Sequence, residues 1–164
     1  GYVRGCPLAY RHAPHLSAVP GGWTWIANVQ AQLTHWTHLA FDAPNLRRPA
    51  IPEQLQHLPT QGATHGADVT WRISTAVAGN GYFMVGDAAS QLDPASSHGV
   101  LKALMTGMQA AQVVSDCIGQ PSVQSSAQRQ YSQWLGDWFE KDMEQLRRFY
   151  RLHPDPPRWL QPHV

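Results

Sequence analysis

Apolar positions change period several times along this chain, and the changes outline its elements. Residues 1–22 scatter apolar side chains among Pro and Gly with little periodicity, which predicts loop with one short strand. Trp23–Val29 (WTWIANV) follows Gly21-Gly22 and is rich in β-formers; Leu33–Phe41 (LTHWTHLAF) alternates in part. Together they predict an antiparallel hairpin turning at Gln30-Ala31-Gln32, although that turn contains no Gly. Residues 42–66 carry Pro44, Pro49, Pro52 and Pro59 and are expected to be irregular, apart from a turn of helix at Pro52–His57. Asp68–Ser74 alternates Val69, Trp71 and Ile73 against Thr70, Arg72 and Ser74, the pattern of a half-buried strand. Tyr82–Val85 is a short apolar run of the kind buried on both faces.

The period then lengthens to that of helices. One is predicted from about Ser97 to Ile118, stopped by Gly119 and Pro121. A second runs from about Ser125 to Leu152, with Tyr131, Leu135, Trp138, Met143, Leu146, Phe149 and Tyr150 on an apolar face, before a Pro-rich tail. The fold class is α+β.

Composition narrows the function classes. The chain has 164 residues, 43% of them apolar, enough for a core. Its formal net charge is +1 and its basic residues do not cluster; Arg47-Arg48 and Arg147-Arg148 are isolated pairs. That argues against nucleic acid or an anionic membrane as partner. No run is long enough for a membrane-spanning helix. Cys6 and Cys117 fit no metal or redox spacing and read as reduced thiols in a cytoplasmic protein, with Cys117 in the core. His35 and His38 stand three apart on a strand, on opposite faces, so they do not make a metal pair. The chain opens Gly-Tyr-Val without Met, and a fragment of a longer protein is the expectation.

The segment with chemistry is GYFMVGDAASQLDPASSHGVLKALMTGMQAA, Gly81–Ala111. A strand delivers Gly86-Asp87-Ala88-Ala89 and then a helix start. Gly86 admits close backbone approach, Asp87 offers a carboxylate to ligand hydroxyls, and Ala88 leaves room beside it. Asp93-Pro94 and small residues follow, flat enough for a planar ligand. The helix tip near Gly99 offers unpaired N–H groups and the positive end of a dipole, which suits an anion. Gly99, Ala103, Gly107 and Ala111 fall four apart, a small-residue stripe that permits close packing. The bland alternative for Gly86-Asp87 is an ordinary capped turn. For His98 it is a local hydrogen bond at the helix start, set against a catalytic or ligand-edge role. Trp23, Trp25 and Trp71 read as core or sheet-face residues before substrate contacts.

This segment resembles the second FAD-binding motif of flavoprotein monooxygenases with the p-hydroxybenzoate hydroxylase fold, a group that includes flavin-dependent halogenases. The resemblance implies that Asp87 binds the ribityl chain and that Pro94 lies near the isoalloxazine. It also implies that Gly99 and Val100 face the flavin N1–C2=O edge and stabilise reduced flavin. Gly86, Ala88 and Asp93 complete the implied FAD contacts. DPASSHGVLKALMTGMQAA, with GWTWIANV and DVTWRIS, is similar to a narrower branch: FAD-dependent maturation enzymes of quinone-cofactor amine dehydrogenases and of lysine or glycine oxidases. The implied fold is a fragment: an antiparallel substrate-side sheet in 1–78, a cofactor-contact strand and helix in 79–119, and a closing amphipathic helix and tail in 120–164. The implied activity is monooxygenation. NAD(P)H or a reductase partner would reduce the flavin, O2 would be captured at its C4a, and oxygen would pass to a small molecule or to a side chain of a partner protein. The flavin carries the chemistry, and no acid, base or nucleophile is assigned beyond His98 as a candidate.

The departures set the alternatives. Halogenases carry Glu-Ser-Thr-Gly where this chain has Ser96-Ser97-His98-Gly99, and their Trp-x-Trp-x-Ile-Pro is half present as Trp23-Thr24-Trp25-Ile26-Ala27-Asn28. Halogenation is therefore second to oxygenation. No G-x-G-x-x-G follows any strand, so the pyrophosphate cradle is expected in a missing N-terminal FAD-binding part of the same protein. A non-catalytic, protein-binding remnant is the third alternative.

Overall fold

The computed structural model describes residues 1–41 and 51–160. The chain divides into two compact units, Gly1–Ala67 with Tyr150–Val164, and Asp68–Phe149. The irregular stretch expected over 42–66 lies outside the described residues in its first part, as does the Arg47-Arg48 pair.

The first unit is built on a four-stranded antiparallel sheet of β1 (Tyr2–Arg4), β2 (His15–Val19), β3 (Gly22–Gln30) and β4 (Leu33–Ala40), in the order β1-β4-β3-β2. The predicted hairpin is β3–β4. Its register sets Trp25 opposite Thr37 and Ile26 opposite Trp36, and its Gly-less turn closes because Gln32 takes the left-handed conformation at φ 60°. Residues 1–22 hold two strands rather than one. β2 carries no alternation because it is an edge strand: His15–Ala18 are exposed, and the backbone ladder to β3 orders them, with His15 edge-on to the Tyr10 ring.

One face of the sheet buries Val3, Ile26 and Trp36 against Leu55 from the turn Glu53–Leu55, where Pro52 precedes the turn as its sequence position suggested. Each such side chain contributes about 1.5–3 kcal/mol. Trp23 is buried, and its indole N–H donates to the Tyr150 hydroxyl at 3.0 Å. Phe41 meets the rings of Tyr150 and His153 edge-on.

Burial holds the imidazoles of His35 and His38 below their ordinary 6.5. The folded chain therefore disfavours their protonation, and the stability this gives is full above about pH 6.5 and is lost as pH falls below it. The unfolding midpoint is expected to drop between about pH 6.5 and 5. His35→Gln with His38→Gln should flatten that drop in thermal melts, and an unchanged slope would assign it to other groups.

The second unit packs short strands and a turn on two long helices. β5 (Arg72–Ile73) pairs with β8 (Ser90–Gln91), and β6 (Ala78–Gly79) with β7 (Tyr82–Phe83). A four-residue helical turn, α1 (Gly86–Ala89), leads to α2 (Gly99–Gly119) and α3 (Gln124–Arg151). Val77, Ala89, Ala110, Tyr131 and Leu135 form the core.

Two strand expectations are corrected here. Only Arg72–Ile73 of 68–74 is strand, because the Asp68 carboxylate accepts the Thr70 N–H at 2.9 Å and its hydroxyl at 2.6 Å, a local turn that competes with the ladder. The run Tyr82–Val85 contributes only Tyr82–Phe83, and Tyr82 and Val85 are exposed rather than buried on both faces. Beyond Phe83 the pairing with the β6 side continues by one bond, Met84 N–H to the Val77 carbonyl, before Gly86 turns the chain. Cys117 is half-buried rather than core. Among the described residues no helix is long and apolar enough to cross a membrane.

α2 turns most of its large apolar side chains outward. Its buried residues are Lys102, Thr106, Ala110 and Val113. Val100, Leu101, Leu104, Met105, Met108, Val114 and Ile118 are exposed, Val100 and Ile118 at 78% each. The small-residue stripe makes its close approach at one point: a Cβ on Gly86 would lie 3.5 Å from that of Ala103. A Cβ on Gly99 or Gly107 meets nothing within 4 Å.

Candidate functional site

The Gly-Asp turn is held from several sides. Gly86 takes φ 57°, a left-handed conformation that costs an ordinary residue about 1–2 kcal/mol. Its buried N–H donates to the Thr106 hydroxyl at 2.9 Å, and that hydroxyl donates in turn to the Lys102 carbonyl at 2.7 Å. Upstream, the Met84 N–H donates to the Val77 carbonyl at 2.8 Å, and the Met84 carbonyl accepts the Tyr131 hydroxyl at 2.6 Å. Burial raises the Tyr131 phenol above its ordinary 10.0, which keeps it a donor.

Thr106→Val keeps the shape and leaves the Gly86 N–H buried without an acceptor. A loss of about 1–3 kcal/mol is expected in denaturant unfolding, against little for Thr106→Ser. Equal losses for the two would mean the hydroxyl is not what matters.

Out of this frame Asp87 projects its carboxylate, 76% exposed, 3.4 Å from the Lys102 ammonium. Ala88 is exposed beside it. The chain then passes β8 and reaches Asp93, which is buried. One Asp93 oxygen accepts the Trp71 indole N–H at 2.7 Å and the other the Ala95 N–H at 2.9 Å. Asp93 thus caps the tight turn Pro94–Ser96 from its N-terminal side, with Pro94 exposed at the first position. Ser97, at φ 57°, redirects the chain into α2.

The tip of α2 is open. Gly99 and Val100 are exposed, and no side chain caps the helix. His98, at the N-cap, is half-buried, with Nδ1 3.4 Å from a carboxylate oxygen of Asp142 on α3, whose side chain is 7% exposed.

Of the residues singled out in the sequence, Gly86, Asp87, Ala88, Asp93, Pro94, His98, Gly99, Val100 and Trp71 all fall in the second unit. Asp87 and the first turn of α2 are adjacent through Lys102. Asp93 and Trp71 are hydrogen-bonded to each other, and Asp93 also holds the turn. Trp23 and Trp25 belong to the first unit, where Trp23 is core and Trp25 is half-buried, edge-on to His35 with centroids 5.5 Å apart. Sequence reasoning missed Lys102, Thr106 and Asp142. Asp142 carried a signal, a polar residue in line with Leu135 and Leu146 on the apolar stripe of α3; Lys102 and Thr106 carried none, because the large apolar residues of α2 lie on its other faces.

A flavin fits these residues. The exposed Asp87 carboxylate could accept from sugar-chain hydroxyls, and the uncapped tip, with space where a Cβ of Gly99 would stand, suits an electron-rich ring edge. The fold is shared with parts of two solved proteins, one of them a flavin-dependent halogenase. The particular structures it matches are QhpG, a peptidyl tryptophan dihydroxylase essential for tryptophylquinone cofactor biogenesis, and CmlS, a flavin-dependent halogenase. QhpG superposes with a TM-score of 0.73 at 19% identity, over 93% of this chain and 39% of QhpG. CmlS gives 0.76 at 15% identity, over 99% of this chain and 32% of CmlS.

Among curated proteins, the digeranylgeranylglycerophospholipid reductase of Thermoplasma acidophilum is 27% identical over 136 residues, 76% of this chain and 34% of that enzyme. Its counterpart from Methanothrix thermoacetophila is 31% identical over 94 residues, 55% of this chain and 24% of that enzyme. The chain therefore spans about a third or less of the curated relatives it matches. It matches no protein-family profile.

Proposed function

We propose that this chain is the flavin- and substrate-contacting part of an FAD-dependent monooxygenase. The observation that carries the reading is the exposed Asp87 carboxylate beside the uncapped tip of α2, within one unit. In this reading Asp87 accepts hydrogen bonds from the ribityl chain. Gly86 and Ala88 let the chain lie close, Pro94 flanks the ring, and the N–H groups of Gly99 and Val100 meet the N1–C2=O edge. Asp93 acts from behind, by fixing the turn that carries Pro94. Bound FAD supplies the redox and oxygen chemistry, with NAD(P)H or a reductase as electron source.

The outward apolar side chains of α2 support a larger parent protein, since large apolar residues exposed together along one helix mark an interaction surface. Its partner in this reading is the nucleotide-binding part, carrying the pyrophosphate cradle absent here. The proposed substrate is an oxidisable aromatic side chain on another protein, a reading supported by the fold likeness to QhpG. The likeness to CmlS favours halogenation as a second reading. Ser96, where the halogenase motif has Glu, ranks it second.

The test is the visible spectrum of the purified complete gene product. A yellow protein that retains FAD through desalting is expected. A colourless protein that takes up no added FAD would overturn the enzyme reading and leave a protein-binding remnant. A flavoprotein that halogenates an aromatic substrate with chloride or bromide would favour the second reading.

A further inference from the structure

Lys102 is a buried charge that the flavin reading leaves without a task. Its side chain is 8% exposed and sits in the first turn of α2, at the positive end of the helix dipole. A cation there is disfavoured twice, by desolvation and by the dipole. A Leu or Met at the same inward position would avoid both costs. Two partners offset them: the ammonium donates to the Ser90 carbonyl, and it lies 3.4 Å from the Asp87 carboxylate. Ser90 immediately follows α1 and Asp87 is its second residue. One ammonium thus ties both ends of the Gly-Asp turn to α2. Thr106, one turn further along the same buried stripe, holds the Gly86 N–H. The exposures differ sharply within the pair, 8% for Lys102 and 76% for Asp87, so the cation anchors the carboxylate from beneath and leaves its outer side free.

We infer that Lys102 is the positioning residue for Asp87: it fixes the direction in which that carboxylate presents itself to the hydroxyls of a polyol chain. This rests on the flavin reading above and adds a residue to it. Lys102 itself needs no contact with the ligand.

The experiment is a double-mutant cycle on FAD binding by the complete gene product, using Lys102→Met, Asp87→Ala and the double variant. Lys102→Arg serves as the cation-preserving control, and ADP, which lacks ribityl chain and ring, as a second probe. Lys102→Met is expected to weaken FAD binding about tenfold in the presence of Asp87 and hardly at all in its absence. ADP affinity should be unchanged, and Lys102→Arg should recover most of the loss.

Additive losses, or equal losses for FAD and ADP, would overturn the inference and leave Lys102 as packing. If Lys102→Met does not fold, Lys102→Arg alone decides: FAD affinity near that of the wild type supports the inference, and a tenfold loss with intact folding and intact ADP binding overturns it. A wild-type protein that binds no FAD at all would instead overturn the flavin reading, and the inference with it.

Discussion

Asp87→Ala in the complete gene product is expected to weaken FAD binding about 10- to 150-fold, the equivalent of the about 1.5–3 kcal/mol carried by hydrogen bonds to a charged group. The expectation follows from where the carboxylate stands. It is 76% exposed, on a turn whose backbone is fixed by Thr106 and by the left-handed Gly86. Removing it deletes an acceptor without opening a cavity, but it leaves the buried Lys102 ammonium with the Ser90 carbonyl alone, so the variant's folding is checked by thermal melt beside the titration. Asp87→Asn keeps the shape and one acceptor and should lose less. Titration of the three proteins with FAD, followed by flavin fluorescence, reads the series. Equal affinities would remove Asp87 from the site and with it the main support for the flavin reading.

Tyr131→Ala carries the largest expected effect on stability, about 3–5 kcal/mol, the range for deleting a buried aromatic. Tyr131 is 1% exposed, edge-on to Phe83 with centroids 5.3 Å apart, and donates to the Met84 carbonyl. It thereby pins the segment that delivers Gly86 and Asp87. Tyr131→Phe keeps the ring and drops the hydroxyl, so about 1–3 kcal/mol is expected from the carbonyl left unpaired. Denaturant unfolding followed by far-ultraviolet circular dichroism measures both. A loss under 1 kcal/mol for Tyr131→Ala would mean that this helix does not hold the turn.

Part of the local geometry was legible because its signals are local. Gly86 was expected to admit close backbone approach, and it takes φ 57° with Ala103 close by; the turn that Asp93 caps ahead of Pro94 was not read from the sequence. The hairpin was legible from β-formers on either side of a short connection. The elements that were misjudged lacked a local signal or carried a misleading one. β2 is ordered by its neighbour's ladder more than by its own side chains. Asp68 diverts an alternating run into a turn, which alternation alone cannot reveal.

The helices show the division most plainly. Spacing and stop signals located α2 and α3 to within a residue or two, because helix period and breakers are properties of the chain itself. Which face of α2 turns inward was not settled by period. Most of its large apolar residues face out, while Lys102 and Thr106 face in beside Ala110 and Val113, because the turn they grip supplies their partners from a dozen or more residues upstream. The pairing of His98 with Asp142, and of Trp71 with Asp93, is of the same kind. Residue types and short-range order come from the chain's own stereochemistry. Partners distant along the chain are chosen only when folding removes water from around them and each buried polar group must find another.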